Sequence, residues 1–140
     1  MTVVNSPDFV SFSDIDLLRA LTTSDRRPNL MVDCTGGAAD DVLDQLRAIC
    51  AAPFYRRQLP GALELPPDGP GTLLLHDVAA LTITQQVMLF DWLQHRRGRM
   101  QVVSVTEKRL MGMVCDGRFL EGLFYRLNTI SVTATGGTVR

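Results

Sequence analysis

Three short runs hold the side chains with which this chain could do chemistry. Asp33-Cys34-Thr35-Gly36-Gly37, followed by Asp40 and Asp41, has the outline of a glycine-rich turn opening a helix. Backbone N–H groups at such a turn can cradle a phosphate, and a lysine at the helix start would reach its outer oxygens. Asp40 or Asp41 stands where that lysine would be, and a carboxylate there repels a polyanion. Acidic residues in a first turn are also ordinary helix stabilisers. The second run, His76-Asp77, closes an apolar stretch. Asp77 could hold a divalent cation, but a neutral imidazole is a poor ligand for a hard magnesium ion. The pair therefore reads as a hydrogen-bonded structural contact. In the third run Glu107 follows a Val-rich stretch and adds another negative charge. A transition-metal site built on His76 and His95 has no supporting motif. No Gly-x-Ser-x-Gly occurs and neither histidine has an identifiable nucleophile partner, which argues against serine and cysteine hydrolase chemistry.

The elements that must position these residues alternate helix and strand. Phe12, Ile15, Leu18 and Leu21 share one face of a leading helix at about 11–22, with Ser11 or Ser13 as N-cap. Leu30 to Cys34 is a short apolar strand, and Val42, Leu43, Leu46 and Ile49 form the buried stripe of the helix after it. Pro53 to Pro70 contains five prolines, so it is expected to be mostly loop with at most a short extended piece. Thr72 to Leu75 is continuously apolar and suits a strand buried on both faces at the sheet centre. Ile83, Val87, Phe90 and Leu93 recur at helical spacing and predict a helix from Ile83 to Arg96, with Gly98 as its stop. A Val-rich strand Gln101 to Thr106, a helix carrying Leu110, Met113 and Val114, and a last strand Thr129 to Thr133 complete the pattern. The tail from Thr135 is expected to fray. This order builds an α/β fold, a parallel sheet with helices on both faces. Ligands in such sheets bind beyond the carboxyl ends of the strands, here the turns after Asp33, Leu75 and Val105.

Composition narrows the classes. At 140 residues, 46% hydrophobic and 21% charged, the chain fits a single globular domain. Fourteen basic against fifteen acidic residues give a net charge of -1, which provides no whole-molecule attraction to nucleic acid or an anionic membrane. A local patch of Arg56, Arg57, Arg96, Arg97 and Arg99 would serve nucleic acid only if the five converged in space. The three cysteines, Cys34, Cys50 and Cys115, are odd in number and lack CxxC spacing, so neither a disulfide framework nor a zinc site is indicated. There is no signal-peptide pattern and no apolar run of about 20 residues that would span a bilayer. The expected location is the cytoplasm.

Two segments carry a family resemblance. Gly71-Thr-Leu-Leu-Leu-His-Asp-Val78 resembles the Walker B strand of the sigma-54 activator branch of AAA+ ATPases, usually Gly-Thr-Leu-Phe-Leu-Asp-Glu-Ile. Gly117-Arg-Phe-Leu-Glu-Gly-Leu-Phe-Tyr-Arg-Leu-Asn128 resembles that branch's Gly-Arg-Phe-Arg-Glu-Asp-Leu-Tyr-Tyr-Arg-Leu-Asn element. Leu81, Gln86, Leu89, Leu93 and Gln94 also match the family helix after Walker B. The resemblance runs from Leu30 to about Val132 and is specific from Gly71 onward. It implies a three-layer P-loop NTPase or AAA+-like sheet in one domain, residues 1–140, with its core at about 29–134 and without the family's helical lid.

Set against the family pattern, the working positions are replaced. Asp40 or Asp41 takes the place of the phosphate-binding lysine, His76 that of the Walker B aspartate, Glu107 that of the sensor asparagine and Leu120 that of one ring arginine, while Arg126 keeps the second. Gly36, Gly37, Asp40, His76, Asp77 and Glu107 thus mark a vestigial nucleotide pocket. The Gly-Ala-Phe-Thr-Gly-Ala loop that engages sigma-54 is absent; Tyr55 to Leu63 occupies a much shortened interval. The resemblance implies a catalytically inactive protein-interaction module in bacterial transcription regulation or signalling, with no cofactor expected. Its partner would be an intact AAA+ activator or another regulator, and self-association is open. Direct contact with nucleic acid or a membrane is not expected. Arg118, Tyr125 and Arg126 are the interface candidates, whereas Phe119, Phe124 and Leu127 are expected in the core. The alternative is a weak ATP or ADP binder, or a slow ATPase, using Gly36, Gly37 and Asp77 with magnesium.

Overall fold

A computed structural model describes residues 2–3, 18–22, 28–37, 39–96 and 99–134. The expected positions Ser11, Phe12, Ser13, Ile15, Arg97 and Gly98 and the tail from Thr135 lie outside them. The strands are β1 (Thr2–Val3), β2 (Leu30–Asp33), β3 (Phe54–Gln58), β4 (Thr72–His76), β5 (Gln101–Thr106) and β6 (Ile130–Thr133). The helices are α1 (residues 18–22), α2 (Ala39–Ile49), α3 (Ile83–His95), α4 (Leu110–Cys115) and α5 (Glu121–Leu127), with a short 3-10 turn at Val78–Ala80. The strands form one sheet in the order β1-β6-β2-β5-β4-β3, parallel throughout except for β1, which pairs antiparallel with β6.

Strand alternation builds the three layers. Leu30, Val32, Leu74, Val103, Val105 and Val132 point to one face and pack with Leu18 of α1 and Val42, Leu43 and Leu46 of α2. Met31, Leu73, Leu75 and Val102 point to the other and meet Leu89 and Leu93 of α3, Leu110 of α4 and Leu123, Phe124 and Leu127 of α5. Side chains on a strand alternate between faces, so a strand covered by helices on both sides must be apolar along its whole length.

The structure corrects two expectations and bears out a third. The sheet centre belongs to β2 and β5; β4 is interior but next to the edge strand β3. The extended piece among the prolines is that edge strand, in parallel register with β4 from Phe54↔Thr72 to Gln58↔His76. On α3, Ile83 and Val87 are half exposed and the inward residues are Gln86, Leu89 and Leu93. Gln86 can be buried because its amide is fully used. Its Nε2 donates to the carbonyls of Leu81 and Arg118, at 3.3 and 3.0 Å, and its Oε1 accepts from the Leu120 N–H at 2.8 Å. The α3 start is set by a capping box between Thr82 and Gln85; its end falls at His95, with Arg96 as C-cap.

Candidate functional site

From β2 the chain leaves through α2 on one face and reaches β3 at the far edge. From β5 it leaves through α4 and α5 on the other face and passes beyond β2 to β6. The carboxyl ends of β2 and β5 thus form the crevice at which an open α/β sheet offers a ligand site. Register brings the three expected turns side by side. Asp33 lies opposite Thr106 and His76 opposite Val105. Cys34 N–H donates to the Thr106 carbonyl at 2.7 Å, and Asp77 N–H to the Val105 carbonyl at 2.8 Å.

The turn after β2 is closed upon itself. Asp33 Oδ1 accepts the Thr35 N–H at 2.8 Å, and Gly37 N–H donates to the Cys34 carbonyl at 2.9 Å. Gly37 has φ +105, a conformation open chiefly to glycine. The helix α2 follows, and its first turn carries Asp40 and Asp41, both exposed. Gly36 is exposed in the same turn. The Asp33 carboxylate therefore takes one of the backbone N–H groups of the turn.

His76 and Asp77 have separate roles. His76 Nδ1 faces Gln58 Oε1 on β3 at 2.5 Å, so the expected contact exists but with a neighbouring strand rather than with Asp77. Asp77 adopts a left-handed conformation, φ 66 and ψ 55, and its carbonyl accepts from the Ala80 N–H at 2.9 Å as the chain enters the 3-10 turn. Aspartate tolerates that conformation better than most residues. His95 lies at the end of α3 against the Asp91 carbonyl, so the two histidines have different partners.

Asp33 and Glu107 stand at this end of the sheet together with Lys108 and Arg109. Cys34, buried beneath it, has its thiol pKa pushed up to about 12, first by burial and then by Asp33 and Glu107. Glu107 is exposed next to Thr106, whose hydroxyl is engaged with the backbone of Lys108. Sequence reasoning missed Asp33 as the residue that fills the turn. Its spacing two residues before Thr35 was the available signal, since aspartate often bonds the backbone two residues on.

The interface candidates each have their own contacts. Arg118 pairs with Asp116 at 2.9 Å between α4 and α5. Tyr125 is 59% exposed on α5 with its ring edge-on to Phe124, and the exposed Arg126 offers its carbonyl to Asn29 Nδ2 at the start of β2. Phe119, Phe124 and Leu127 are buried as expected. The arginine patch is divided. Arg57 donates to the Glu64 carbonyl beside β3, whereas Arg96 stacks over Trp92 and bonds the Met100 carbonyl and Asn29. Among the described residues no group of three or more His, Cys, Asp or Glu side chains is arranged to hold a metal ion. No described helix is long and apolar enough to cross a membrane.

The positions shared with the family motifs have structural work to do. Gly71 has φ +119, and a Cβ there would lie 2.3 Å from the Pro53 carbonyl oxygen. Thr72 is buried, and its hydroxyl donates to the Ala51 carbonyl at 2.9 Å. These contacts join β4 to the start of β3, while Gln86 fixes the approach to α5.

Comparison with known proteins agrees with this architecture. The Nitrogen fixation protein VnfA of Azotobacter vinelandii is 34% identical over 74 residues, covering 45% of this chain and 14% of that protein. The chain thus spans about one seventh of the length of that relative. NtrX of Brucella abortus, solved in complex with ATP, superposes with a TM-score of 0.68 at 20% identity, covering 91% of this chain and 37% of that one. The P-loop NTPase domain of a sigma-54 transport activator from E. coli gives a TM-score of 0.54 at 15% identity, covering 89% of this chain and 99% of that one. These structures establish the P-loop NTPase type of fold. The model of the sigma-54 interaction domain matches residues 57–136, beginning at the end of β3 upstream of Gly71, so the chain belongs to the sigma-54 interaction domain family.

Proposed function

We propose that this chain is a catalytically inactive sigma-54 interaction domain, acting in the cytoplasm as a protein-binding module in bacterial transcription regulation, with residues 1–140 as one domain. The supporting observation is the contrast between the framework and the crevice. The framework positions Gly71, Thr72 and Gln86 keep their contacts, while the turn that would receive phosphate is occupied by Asp33 and followed by Asp40 and Asp41. Phosphoryl transfer depends on positioned cations and magnesium at the phosphates. Here the first turn of α2 carries Asp40 and Asp41 where a lysine would be needed, and the magnesium-binding position is His76, held by Gln58.

Calorimetric titration with ATP and ADP in magnesium tests the reading, and no heat of binding is expected at millimolar nucleotide. Micromolar binding would overturn it in favour of an ATP-binding domain using Gly36, Gly37 and Asp77, the reading to which the ATP complex of NtrX lends its fold. The partner would be an intact AAA+ activator, another regulator or a second copy, met through Arg118, Tyr125 and Arg126. Alanine at Arg118 and Arg126 should weaken co-sedimentation with an intact activator; unchanged association would remove these residues from the interface.

A further inference from the structure

Three of the five large apolar side chains exposed among the described residues, Ile83, Val87 and Tyr125, lie where α3 and α5 run side by side. Gly122 lets the two helices approach: a Cβ there would lie 3.2 Å from Phe90 Cζ. Val87 and Ile83 come three and seven residues before Phe90, so helical periodicity carries them along the α5 side of α3. Apolar exposure gathered on one face in this way marks a contact surface.

The charges on that face select its occupant. On α5, Leu123, Phe124 and Leu127 are buried, and Glu121, Gly122, Tyr125 and Arg126 are exposed. Neither Glu121 nor Arg126 has an ion pair among the described residues. Arg118 is already paired with Asp116, and Arg96, close enough to Arg126 for the two charges to repel, has Asp68 nearby. Five residues apart on a helix, Glu121 and Arg126 are separated by about 7.5 Å along the axis and stand on opposite sides of Gly122 and Tyr125. An acidic partner would answer Arg126 alone and a basic one Glu121 alone, whereas a copy of the same helix answers both. We propose that this face pairs with a second copy of the chain about a two-fold axis, forming a closed dimer. The axis passes between Glu121 and Arg126, so each Glu121 meets Arg126 of the second copy and the ion pair is made twice. The two α5 helices cross steeply over Gly122, where no side chain holds the backbones apart, and Tyr125, Ile83 and Val87 supply the apolar contact. This narrows the partner offered above to a second copy, and it rests on that reading of the chain as a protein-binding module.

Sedimentation equilibrium of the full chain over a concentration series tests the proposal, and reversible dimerisation that weakens with added salt is expected. Glu121→Arg and Arg126→Glu, each confirmed as natively folded by circular dichroism, should separately weaken the dimer about tenfold or more, because each brings like charges together twice. Mixed in equal amounts, the two variants should associate with each other, since every charge at position 121 then faces the opposite sign at position 126. Val87→Ser, on the other helix, should weaken the dimer several-fold without altering those charges. A monomer at every concentration, open-ended association in place of a dimer, folded charge variants that ignore each other on mixing, or a Val87→Ser dimer of unchanged affinity would each overturn the proposal. A monomer that still co-sediments with an intact activator would overturn self-pairing and leave the protein-binding reading standing; a monomer that does not would count against both.

Discussion

Cys34 is buried at the carboxyl end of the sheet, where burial first and then the charges of Asp33 and Glu107 hold its proton on. Cys50, also partly buried, has its pKa pushed up to about 11, chiefly by burial. Cys115 is exposed. Thiolates are the reactive species, so Cys115 should be alkylated rapidly at pH 8 while Cys34 resists until the chain unfolds. Peptide mapping after a timed iodoacetamide pulse would check this; rapid labelling of Cys34 would contradict its burial. The same shifts set a pH dependence. Each thiol holds its proton more tightly in the folded chain than at its ordinary value of 9.0. Their contribution to stability is therefore complete below about pH 9 and falls as pH rises toward the folded values of about 11 and 12. Denaturant midpoints at pH 8 and 10.5 should decline in that order, and Cys34→Ala should flatten the decline.

Elements are joined at a few positions where one atom decides the fit. At Gly71 a methyl group would meet the Pro53 carbonyl and an unfavourable φ together, so Gly71→Ala should cost about 3 kcal/mol or more and lower Tm by roughly 10 °C. Calorimetry of the variant is the check. Gln86→Leu would leave the Leu120 N–H and two carbonyls without their partner, at about 2 kcal/mol or more; a neutral result would show that water replaces the amide. This glutamine also shows why the inward face of α3 was misread. Hydropathy alone assigns Ile83 and Val87 to the core, but Gln86 satisfies three backbone groups, two of them on a segment distant in sequence, which periodicity cannot register. The long apolar runs Leu30 to Cys34, Thr72 to Leu75 and Gln101 to Thr106 were legible, because strands covered on both faces have no polar alternation to confuse. The two-residue strand β1 and the proline-flanked β3 were not, since neither is long or apolar enough to announce itself. At the site, Asp40 and His76 were legible as departures from a motif. The stitching of Cys34 to Thr106 and of Asp77 to Val105 was not, because it arises from strand register.

For the molecule as a whole, the retained framework and altered crevice predict a stable fold indifferent to nucleotide. Any ligand that binds only the native state raises Tm by mass action. Magnesium ATP at millimolar concentration should leave Tm unchanged, while the double variant Asp40→Lys, His76→Asp should gain a measurable increase. If the native chain is stabilised and the double variant is not, the assignment of those two positions is wrong.

The two borders of the sheet carry a different consequence. β6 is covered by β1, but the outer side of β3 has no strand beside it among the described residues. An open strand border is a template for adding another chain, and proteins blunt it with charges and prolines. Here Arg56 and Arg57 occupy the middle of β3, and Pro53 and Pro60 flank it. The same short segment that completes the core next to β4 therefore also acts as a gatekeeper against fibrillar self-assembly.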